Sequence, residues 1–545
     1  MSEASEKGLV DHFRHGFIGR AAAPTAIAVA VVLLCLIHVS TPAWVWDETY
    51  YYTLSSGVGR WFADPAFGAE RITEVFREGN AHPPLPLYAM AITGGLFTTE
   101  SGDFLFAVRL ATCIQFAALV VVMYLFAKRE AGLPAALFAA ALTALSPRLF
   151  AHSLMATYDV PMCLWCVATS VAFYRGMKSR RWAVASGFLF GLALLTKVNA
   201  FLLPLALWPW GLYFHRKRAL PAIASMALAG PVVFFAGWPW LWVAPLKNFA
   251  EYIIDKFPAG AVPPFVLSWT GTQTIGWREP AETLYFGTVA PGGARWHYPF
   301  VMVVFTMPLA VMAGGAASAA AARKDSHATG LIALLWWSVF VQLAVFALVM
   351  TPFDGVRLFL PVLPLVSLAA GIGLARLWRS GGAWAAAAVV LAALSPGAEF
   401  FIYEPYGMSY FTPAVGGLPG AQELGMEVTY YGEAVDPGGF TAVNERARPG
   451  DMVAYGPMFK ELPLLLPYYY TRYGILDPSL EPAAPSDEWD FLIWINRGGA
   501  ITESDRSNRA RGRVIHENRL LGVVLSQILE SESHFEGGPD GPGQP

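Results

Sequence analysis

Long apolar segments alternate with short polar loops from about residue 21 to residue 402. A segment of roughly 20 apolar residues is long enough to cross a bilayer as a helix. This criterion predicts eleven spans, at 21–40, 105–127, 133–150, 157–174, 182–197, 199–214, 219–241, 297–321, 328–350, 357–375 and 382–402. The apolar segment 84–97 is too short to span, and we expect a helix lying in the interface.

Basic residues predict the orientation of these spans, because lysine and arginine are enriched in cytoplasmic loops. Residues 1–20 carry Lys7, Arg14 and Arg20, which predicts a cytoplasmic N-terminus followed by an uncleaved signal anchor. Further basic residues recur in alternate loops, near 128, 175–181, 216–218, 323–324 and 376–379. The first outer loop, 41–104, and the chain after residue 402 are therefore predicted to lie outside the cytoplasm.

The sequence becomes polar after residue 402. Short apolar runs at 451–455 and 490–495 are typical of strands, and 458–469 is predicted to be helical. The pattern therefore predicts a transmembrane domain over 21–402, an extracytoplasmic α/β domain over 403–531 and a disordered tail over 532–545. The α/β domain either shapes an acceptor pocket or serves stability alone, and the sequence leaves both open.

Composition agrees with a membrane protein. The 545 residues are 55% hydrophobic and 14% charged, whereas soluble domains carry about 25% charged residues. A net charge of -3 gives no reason to expect a nucleic-acid partner. All four cysteines lie inside apolar runs and are predicted to be small buried hydrophobes.

Acidic residues at the outer ends of predicted helices are the first candidates for chemistry. Asp47 and Glu48 follow the first span within an aromatic stretch, and Asp159, after Tyr158, opens the fourth span. Charges near the membrane are costly and are functional candidates by default. Each also has a simpler interpretation, since acidic residues can end or cap a helix.

Three basic residues lie on the same predicted face. Lys197 ends a Gly-Leu-rich span, Arg357 follows Asp354-Gly-Val, and His82 precedes Pro-Pro in the first outer loop. A lone lysine there can simply extend to the headgroups. Together with the carboxylates, these cations suit transfer of a sugar from a lipid phosphate. The leaving phosphate needs a cation, and the attacking hydroxyl needs a base.

In these motifs the chain resembles the GT-C glycosyltransferases that use polyprenyl-phosphate sugars, in particular family 39 and its prokaryotic relatives. That family includes protein O-mannosyltransferases and lipid A aminoarabinose transferases. The resemblance covers residues 21–402 and rests on the order of the motifs: Asp47-Glu48, His82-Pro-Pro, Tyr158-Asp159-Val-Pro, Lys197 and Asp354-Gly-Val-Arg357. It implies an α-helical polytopic GT-C fold in a bacterial or archaeal plasma membrane.

The resemblance also implies roles. Asp47 is the expected base, with Glu48 and Asp159 as further catalytic residues, and Asp47 and Asp159 are a candidate site for a divalent cation. The residues expected to bind substrate are His82, Tyr158, Lys197 and Arg357. At the position of His82, some relatives have lysine before Pro-Pro. The implied partners are a polyprenyl-phosphate sugar, membrane lipid, and a protein, lipid or glycan acceptor, with inversion at the transferred carbon.

The main alternative is a transporter or flippase of a lipid-linked glycan. Its charges should lie near the bilayer midplane, in helices interrupted in both halves of an inverted repeat. The charges here lie at the predicted outer rim, and the sequence shows no repeat. This pattern favours the transferase.

Overall fold

Helices make up most of this computed structural model, which describes residues 19–77, 82–98, 104–254, 282–290, 293–322, 326–349, 354–457 and 464–536. The helices of its first half are α1 (Gly19–His38), α2 (Trp46–Ala63), α3 (Ala69–Phe76), α4 (Leu85–Phe97), α5 (Phe104–Ala131), α6 (Leu133–Ala144), α7 (Pro147–Ser153), α8 (Asp159–Gly176), α9 (Arg180–Leu194), α10 (Leu202–His215) and α11 (Leu220–Ala236). Two short helices follow, α12 (Pro239–Val243) and α13 (Pro245–Ile254). Next come a hairpin, β1 (Thr283–Tyr285) and β2 (Thr288–Ala290), and the helices α14 (Tyr298–Thr306), α15 (Leu309–Ala322), α16 (Ser326–Leu348), α17 (Val362–Ser380) and α18 (Ala383–Tyr403).

A helix or a pair of helices occupies each of the eleven segments that were predicted to span. Among the described residues, five helices are long and apolar enough to cross a membrane, or seven if each of two bent pairs is one span. The chain is thus a multi-pass membrane protein, while the number of eleven spans stays a prediction. The short segment 84–97 is the helix α4, and its place at the interface also stays a prediction.

Two segments that were predicted to be single spans are bent. Segment 133–150 divides into α6 and α7 with a bend of 65°, and segment 297–321 divides into α14 and α15 with a bend of 113°. Pro147 and Pro308 lie at these breaks, and proline removes a backbone donor and clashes with the preceding helical turn. A third difference is a later start of α17, because Arg357–Phe359 forms a separate 3-10 turn before it.

The last part of the chain forms a mixed sheet with short helices. Its elements are α19 (Gly417–Glu423), α20 (Pro437–Asn444), β3 (Met452–Gly456), α21 (Leu465–Arg472), β4 (Glu481–Ala483), β5 (Phe491–Ile495), α22 (Glu503–Arg509), β6 (Gly512–Leu520), β7 (Val523–Ser531) and α23 (Glu532–Glu536). The strand order is β4-β3-β5-β7-β6. Strands β4, β3 and β5 are parallel, and β7 runs antiparallel to both β5 and β6.

The predicted strands at 451–455 and 490–495 are confirmed as β3 and β5. Of the helix expected over 458–469, residues 458–463 lie outside the described residues, and the described part begins at Leu465. The disordered tail was predicted to begin too early. Residues 532–536 form α23, because buried His534 lies 2.9 Å from carboxylate oxygens of both Asp451 and Glu530. Residues 537–545 lie outside the described residues.

Glycines allow close packing of α9 against α11. A Cβ atom at Gly187 would lie 2.3 Å from the carbonyl oxygen of Ser225, and one at Gly191 would lie 2.4 Å from the Cβ atom of Val233. Small residues of this kind let helix backbones approach closely in membranes, where packing supplies much of the association energy. Helix α9 ends at Leu194, shortly before Lys197.

We expect Gly191→Leu to destabilise the protein by about 1–3 kcal/mol, because the new side chain must displace α11. The matched control is Gly95→Leu on α4, where a new Cβ atom meets nothing within 4 Å. Thermal unfolding in detergent should show a lower Tm for the first variant alone. Equal Tm values for the two variants would contradict the close packing.

Candidate active site

The first turn of α2 presents two carboxylates that point to different surroundings. Val45 is extended, and α2 begins at Trp46, so Asp47 and Glu48 lie in the positive first turn of the helix. The Val45 amide donates to a carboxylate oxygen of Glu48 at 3.2 Å, which closes the turn. Adjacent residues on a helix diverge by about 100°. Asp47 therefore faces a different set of partners from Glu48.

Glu48 is held in a buried ion pair with Arg109 of α5. The guanidinium donates from Nε to Oε1 at 2.7 Å and from Nη2 to Oε2 at 2.6 Å. The Ala156 amide also donates to Oε1, at 2.7 Å. Arg109 additionally donates to the backbone carbonyls of residues 39, 42 and 43. Glu48 thus joins α2, α5 and the turn before α8, and its expected catalytic role stays a prediction.

Asp159 and Lys197 form a second buried pair. Asp159 is the first residue of α8, and Lys197 is extended between the end of α9 and the 3-10 turn Val198–Phe201. The lysine Nζ atom lies 2.6 Å from Oδ1 of Asp159, and both side chains are almost wholly buried. The bend before α8 and the end of α9 therefore bring opposite charges together.

Arg357 is shared by three carboxylates. Its Nη2 atom donates to Asp47, its Nε atom lies 3.3 Å from Asp159 Oδ2, and its Nη1 atom lies 3.2 Å from Asp354 Oδ2. The ring of Tyr431 lies beneath the guanidinium, 4.4 Å from its central carbon. Arg357 consequently links α2, α8, its own loop and the polar part of the chain.

The loop before Arg357 reaches this position through a left-handed turn. Asp354 and Gly355 have φ angles of 54° and 65°, a conformation that aspartate and glycine tolerate better than other residues. A Cβ atom at Gly355 would lie 2.8 Å from Nη1 of Arg148. Asp354 also accepts a hydrogen bond from Arg497 Nη2 at 2.6 Å, and the ring of Trp46 lies 5.1 Å from the Arg497 guanidinium.

The side chain of Asp47 is more exposed than those of its partners. Its side chain is 23% exposed, compared with 11% for Arg357 and 1% for Asp159. Burial raises the pKa of Asp47 above its ordinary value, although Arg357 beside it acts in the opposite direction. A carboxylate with a raised pKa accepts a proton more readily. Asp354, the third carboxylate around Arg357, is 3% exposed, so Asp47 is the most exposed of the three carboxylates.

His82 and Tyr158 lie beside this cluster and contact each other through their rings. Their ring centroids are 4.9 Å apart, and Tyr51 lies 4.5 Å from Tyr158. The backbone after His82 is fixed by a hydrogen bond from the Leu85 amide to the carbonyl of Leu195 at 3.0 Å. The predicted binding roles of His82 and Tyr158 stay predictions.

The candidate divalent-cation site at Asp47 and Asp159 stays a prediction. Each carboxylate already has an arginine or lysine partner at hydrogen-bond distance. In the described part of the chain, no group of three or more His, Cys, Asp or Glu side chains could hold a metal ion. We therefore assign no chemical step to a metal.

Comparisons with known proteins identify the fold. Residues 81–242 match the model of a family described as dolichyl-phosphate-mannose-protein mannosyltransferase. The chain is similar to ArnT from Cupriavidus metallidurans bound to undecaprenyl phosphate, at 16% identity and a TM-score of 0.51, over 94% of this chain and 98% of that one. The chain has the GT-C fold. The resemblance to GT-C glycosyltransferases is thereby confirmed in the fold.

Two further solved structures also match the chain. The apo state of the same ArnT gives 14% identity and a TM-score of 0.50, again over 94% of this chain and 98% of that one. The oligosaccharyltransferase AglB from Archaeoglobus fulgidus, in complex with an inhibitory peptide and a dolichol-phosphate, gives 12% identity and a TM-score of 0.46. This match covers 93% of this chain and 74% of that one. No curated protein sequence matches the chain.

Sequence reasoning missed three charged residues that pair with the predicted site residues or their neighbours. Arg109 is a charge inside the apolar segment 105–127, which is itself a signal of function or of a buried partner. Asp354 belongs to a motif in which only Arg357 was singled out. Arg497 follows a predicted strand, a common position for functional residues, but no pattern links it to Asp354, 143 positions earlier.

We expect Glu48→Gln to lower stability by about 3–5 kcal/mol, because it leaves the buried Arg109 charge uncompensated. The control is Glu74→Gln, which removes an exposed partner of Arg71 and should cost at most about 1 kcal/mol. Thermal unfolding of both variants in detergent measures the difference. A Tm of Glu48→Gln equal to that of the control would contradict a structural role for this pair.

Proposed function

We propose that the protein is a membrane glycosyltransferase that moves a sugar from a polyprenyl-phosphate carrier to an acceptor hydroxyl at the outer face of the membrane. The observation that carries the proposal is the joining of Asp47, Asp159, Lys197 and Arg357 in one network of ion pairs. The reaction needs a base and a clamp for phosphate, and this network contains both kinds of group. The GT-C fold and the mannosyltransferase family match over 81–242 support the same class.

Asp47 is the proposed base. The acceptor oxygen attacks the anomeric carbon of the sugar, while the bond from that carbon to the phosphate oxygen breaks. The acceptor proton passes to the Asp47 carboxylate, and the carrier leaves as polyprenyl phosphate. Direct attack from the opposite face inverts the anomeric carbon. The greater exposure of Asp47 relative to Asp159 favours this assignment.

Arg357 and Lys197 are the proposed phosphate clamp. Both cations already have carboxylate partners, so the carrier phosphate must compete with these partners for the same donors. Charge-assisted hydrogen bonds from guanidinium and ammonium groups to phosphate are strong enough to do so. Movement of Arg357 toward phosphate would leave Asp47 with fewer donors and therefore more basic. This exchange couples carrier binding to activation of the base.

Two arguments support the outer face as the place of reaction. The basic loops predict that the N-terminus of α8 and the C-terminus of α9 lie on the outer side. The sheet of residues 452–531 follows α18 and contributes Arg497 to the network around Asp354. The acceptor, whether protein, lipid or glycan, therefore approaches from the side of this sheet.

Asp47→Asn should lower kcat by about 10²–10⁴, because asparagine keeps the shape of the side chain but accepts no proton. The measurement is transfer of labelled sugar from a panel of polyprenyl-phosphate monosaccharides by the purified full-length protein. Asp64→Asn at the other end of α2 is the matched control and should keep the wild-type rate. Equal rates for Asp47→Asn and wild type, or no transfer by wild type from any such donor, would contradict the mechanism.

Lys197→Gln should weaken binding of polyprenyl phosphate by roughly tenfold or more, since it removes a charged hydrogen-bond donor. The control is Lys217→Gln in the exposed turn between α10 and α11, which should bind as wild type does. Calorimetry or fluorescence titration in detergent gives both Kd values, and thermal unfolding checks that each variant is folded. An unchanged Kd for Lys197→Gln would remove this residue from the clamp.

A further inference from the structure

Beneath Arg357 lies a second group of buried polar side chains, which we call the Tyr431 cluster: Tyr431, His152 and Glu433. The imidazole of His152, on α7, and the Tyr431 ring are nearly perpendicular, with centroids 6.2 Å apart. The Tyr431 amide donates to Glu433 Oε2 at 3.0 Å. All three side chains are at most 1% exposed. The cluster therefore lies at the junction of α7 with the chain that follows α19.

The Tyr431 cluster has polar atoms with unused hydrogen-bonding capacity. Within the part of the chain that the structure describes, neither ring nitrogen of His152 has a hydrogen-bond partner. The same holds for the Tyr431 hydroxyl and for Oε1 of Glu433. Burial raises the pKa of Glu433 to about 7. Nearly all buried polar groups in proteins are hydrogen-bonded, so four atoms without a described partner in these three side chains need an explanation.

The position of the cluster suggests what binds there. The Tyr431 ring contacts the guanidinium of Arg357, 4.4 Å away, which is the proposed clamp for the carrier phosphate. In the donor, the anomeric carbon of the sugar is one bridging oxygen away from phosphorus. A phosphate on Arg357 thus brings its sugar ring against the neighbouring groups. The ring of Trp46, the residue before Asp47, lies 6.4 Å from the ring of Tyr431.

We propose that the Tyr431 cluster binds the hydroxyl groups of a glycosyl ring, an inference that rests on the proposed function. A sugar hydroxyl both donates and accepts hydrogen bonds. Imidazole and phenol groups can do the same, and the carboxylate of Glu433 accepts. The aromatic rings offer apolar faces for the C–H side of the sugar, as in other sites that combine apolar walls with few polar groups.

A second phosphate is a poorer fit for the same position. Glu433 would repel an anion, and His152 and the tyrosine carry no fixed positive charge. Arg148 lies near, and its Nη1 and Nη2 atoms have no hydrogen-bond partner among the described residues. The rings of Phe411 and Tyr430 nevertheless flank its guanidinium, each 4.9 Å away, and its Nε atom donates to the Tyr410 carbonyl at 2.9 Å. The uncharged, hydroxyl-rich part of the donor matches the cluster better than its phosphate does.

The test compares two carriers with the same full-length protein in detergent: a polyprenyl-phosphate monosaccharide that serves as donor, and polyprenyl phosphate without sugar. Tyr431→Phe removes one hydroxyl and keeps the ring under Arg357, and His152→Phe keeps a ring of similar size. Each substitution should raise Kd for the glycosylated carrier by about two- to twelvefold, the change in affinity expected when one hydrogen bond is lost. Kd for bare polyprenyl phosphate should stay within about twofold of wild type.

The matched control is Tyr455→Phe, which removes a buried hydroxyl that already donates to the Gly432 carbonyl at 3.4 Å. It should change the affinities for both carriers by the same factor or not at all. Thermal unfolding of all three variants shows whether each is folded. Tyr431→Phe is the mildest change and keeps the test decisive if His152→Phe is unstable.

The outcomes separate two sources of the ring. A selective loss for the glycosylated carrier assigns the cluster to the sugar of the donor. Unchanged carrier affinities with a raised KM for a glycan acceptor assign it to a sugar of the acceptor. Equal loss for both carriers, or no change in any Kd or KM, would overturn the glycosyl site while leaving the proposed function intact. Failure of wild type to bind either carrier would overturn the proposed function and this site together.

Discussion

Pairing of buried charge around Arg357 is the constraint on which the site depends. An unpaired charge in a buried position costs several kcal/mol, so a guanidinium shared by Asp47, Asp159 and Asp354 fixes three distant pieces of chain relative to one another. Asp159 in turn fixes Lys197. The helices α2 and α8, the end of α9 and the loop before α17 therefore meet where these charges pair. The same charges that hold the fold are those proposed to act on the substrate.

The chain after residue 402 contributes residues to this network of charges. Arg497 reaches Asp354, and the ring of Tyr431 lies beneath Arg357. On the other side, α21 packs against α2, where the Tyr469 hydroxyl lies 2.6 Å from the Thr53 hydroxyl and the Tyr473 hydroxyl lies 2.7 Å from that of Tyr52. Changes in this part of the chain should consequently alter the position of Asp47. Of the two roles left open by the sequence, this geometry favours shaping of the site.

Much of the membrane part could be predicted, because apolar length is a local property of the sequence. Helices occupy every predicted segment, yet the bends at Pro147 and Pro308 were missed, since apolar length alone does not distinguish one straight helix from two joined at an angle. The strands β3 and β5 were also predicted from local patterns. Strands β6 and β7 were not, because residues 512–520 are largely polar and pair with residues 523–531 through a tight turn.

The site was predictable as a set of residues but not as a set of contacts. Asp47, Asp159, Lys197 and Arg357 were selected for their place at helix ends and for the order of motifs, and the structure joins them. Adjacent in sequence, Asp47 and Glu48 look equivalent, but one faces Arg357 and the other faces Arg109. That difference depends on long-range partners. Such partners are determined by tertiary packing, which local pattern does not contain.

The charge balance of the network bears on the proposed reaction. Its ion pairs join three cations and three carboxylates: Lys197, Arg357, Arg497, Asp47, Asp159 and Asp354. A phosphodiester donor adds one negative charge. The phosphomonoester left after transfer carries about 1.5 to 2 negative charges. A proton accepted by Asp47 removes about as much negative charge as the leaving phosphate gains. The total charge of the buried site then stays nearly constant through the transfer, so the reaction requires little new charge to be solvated where water is scarce.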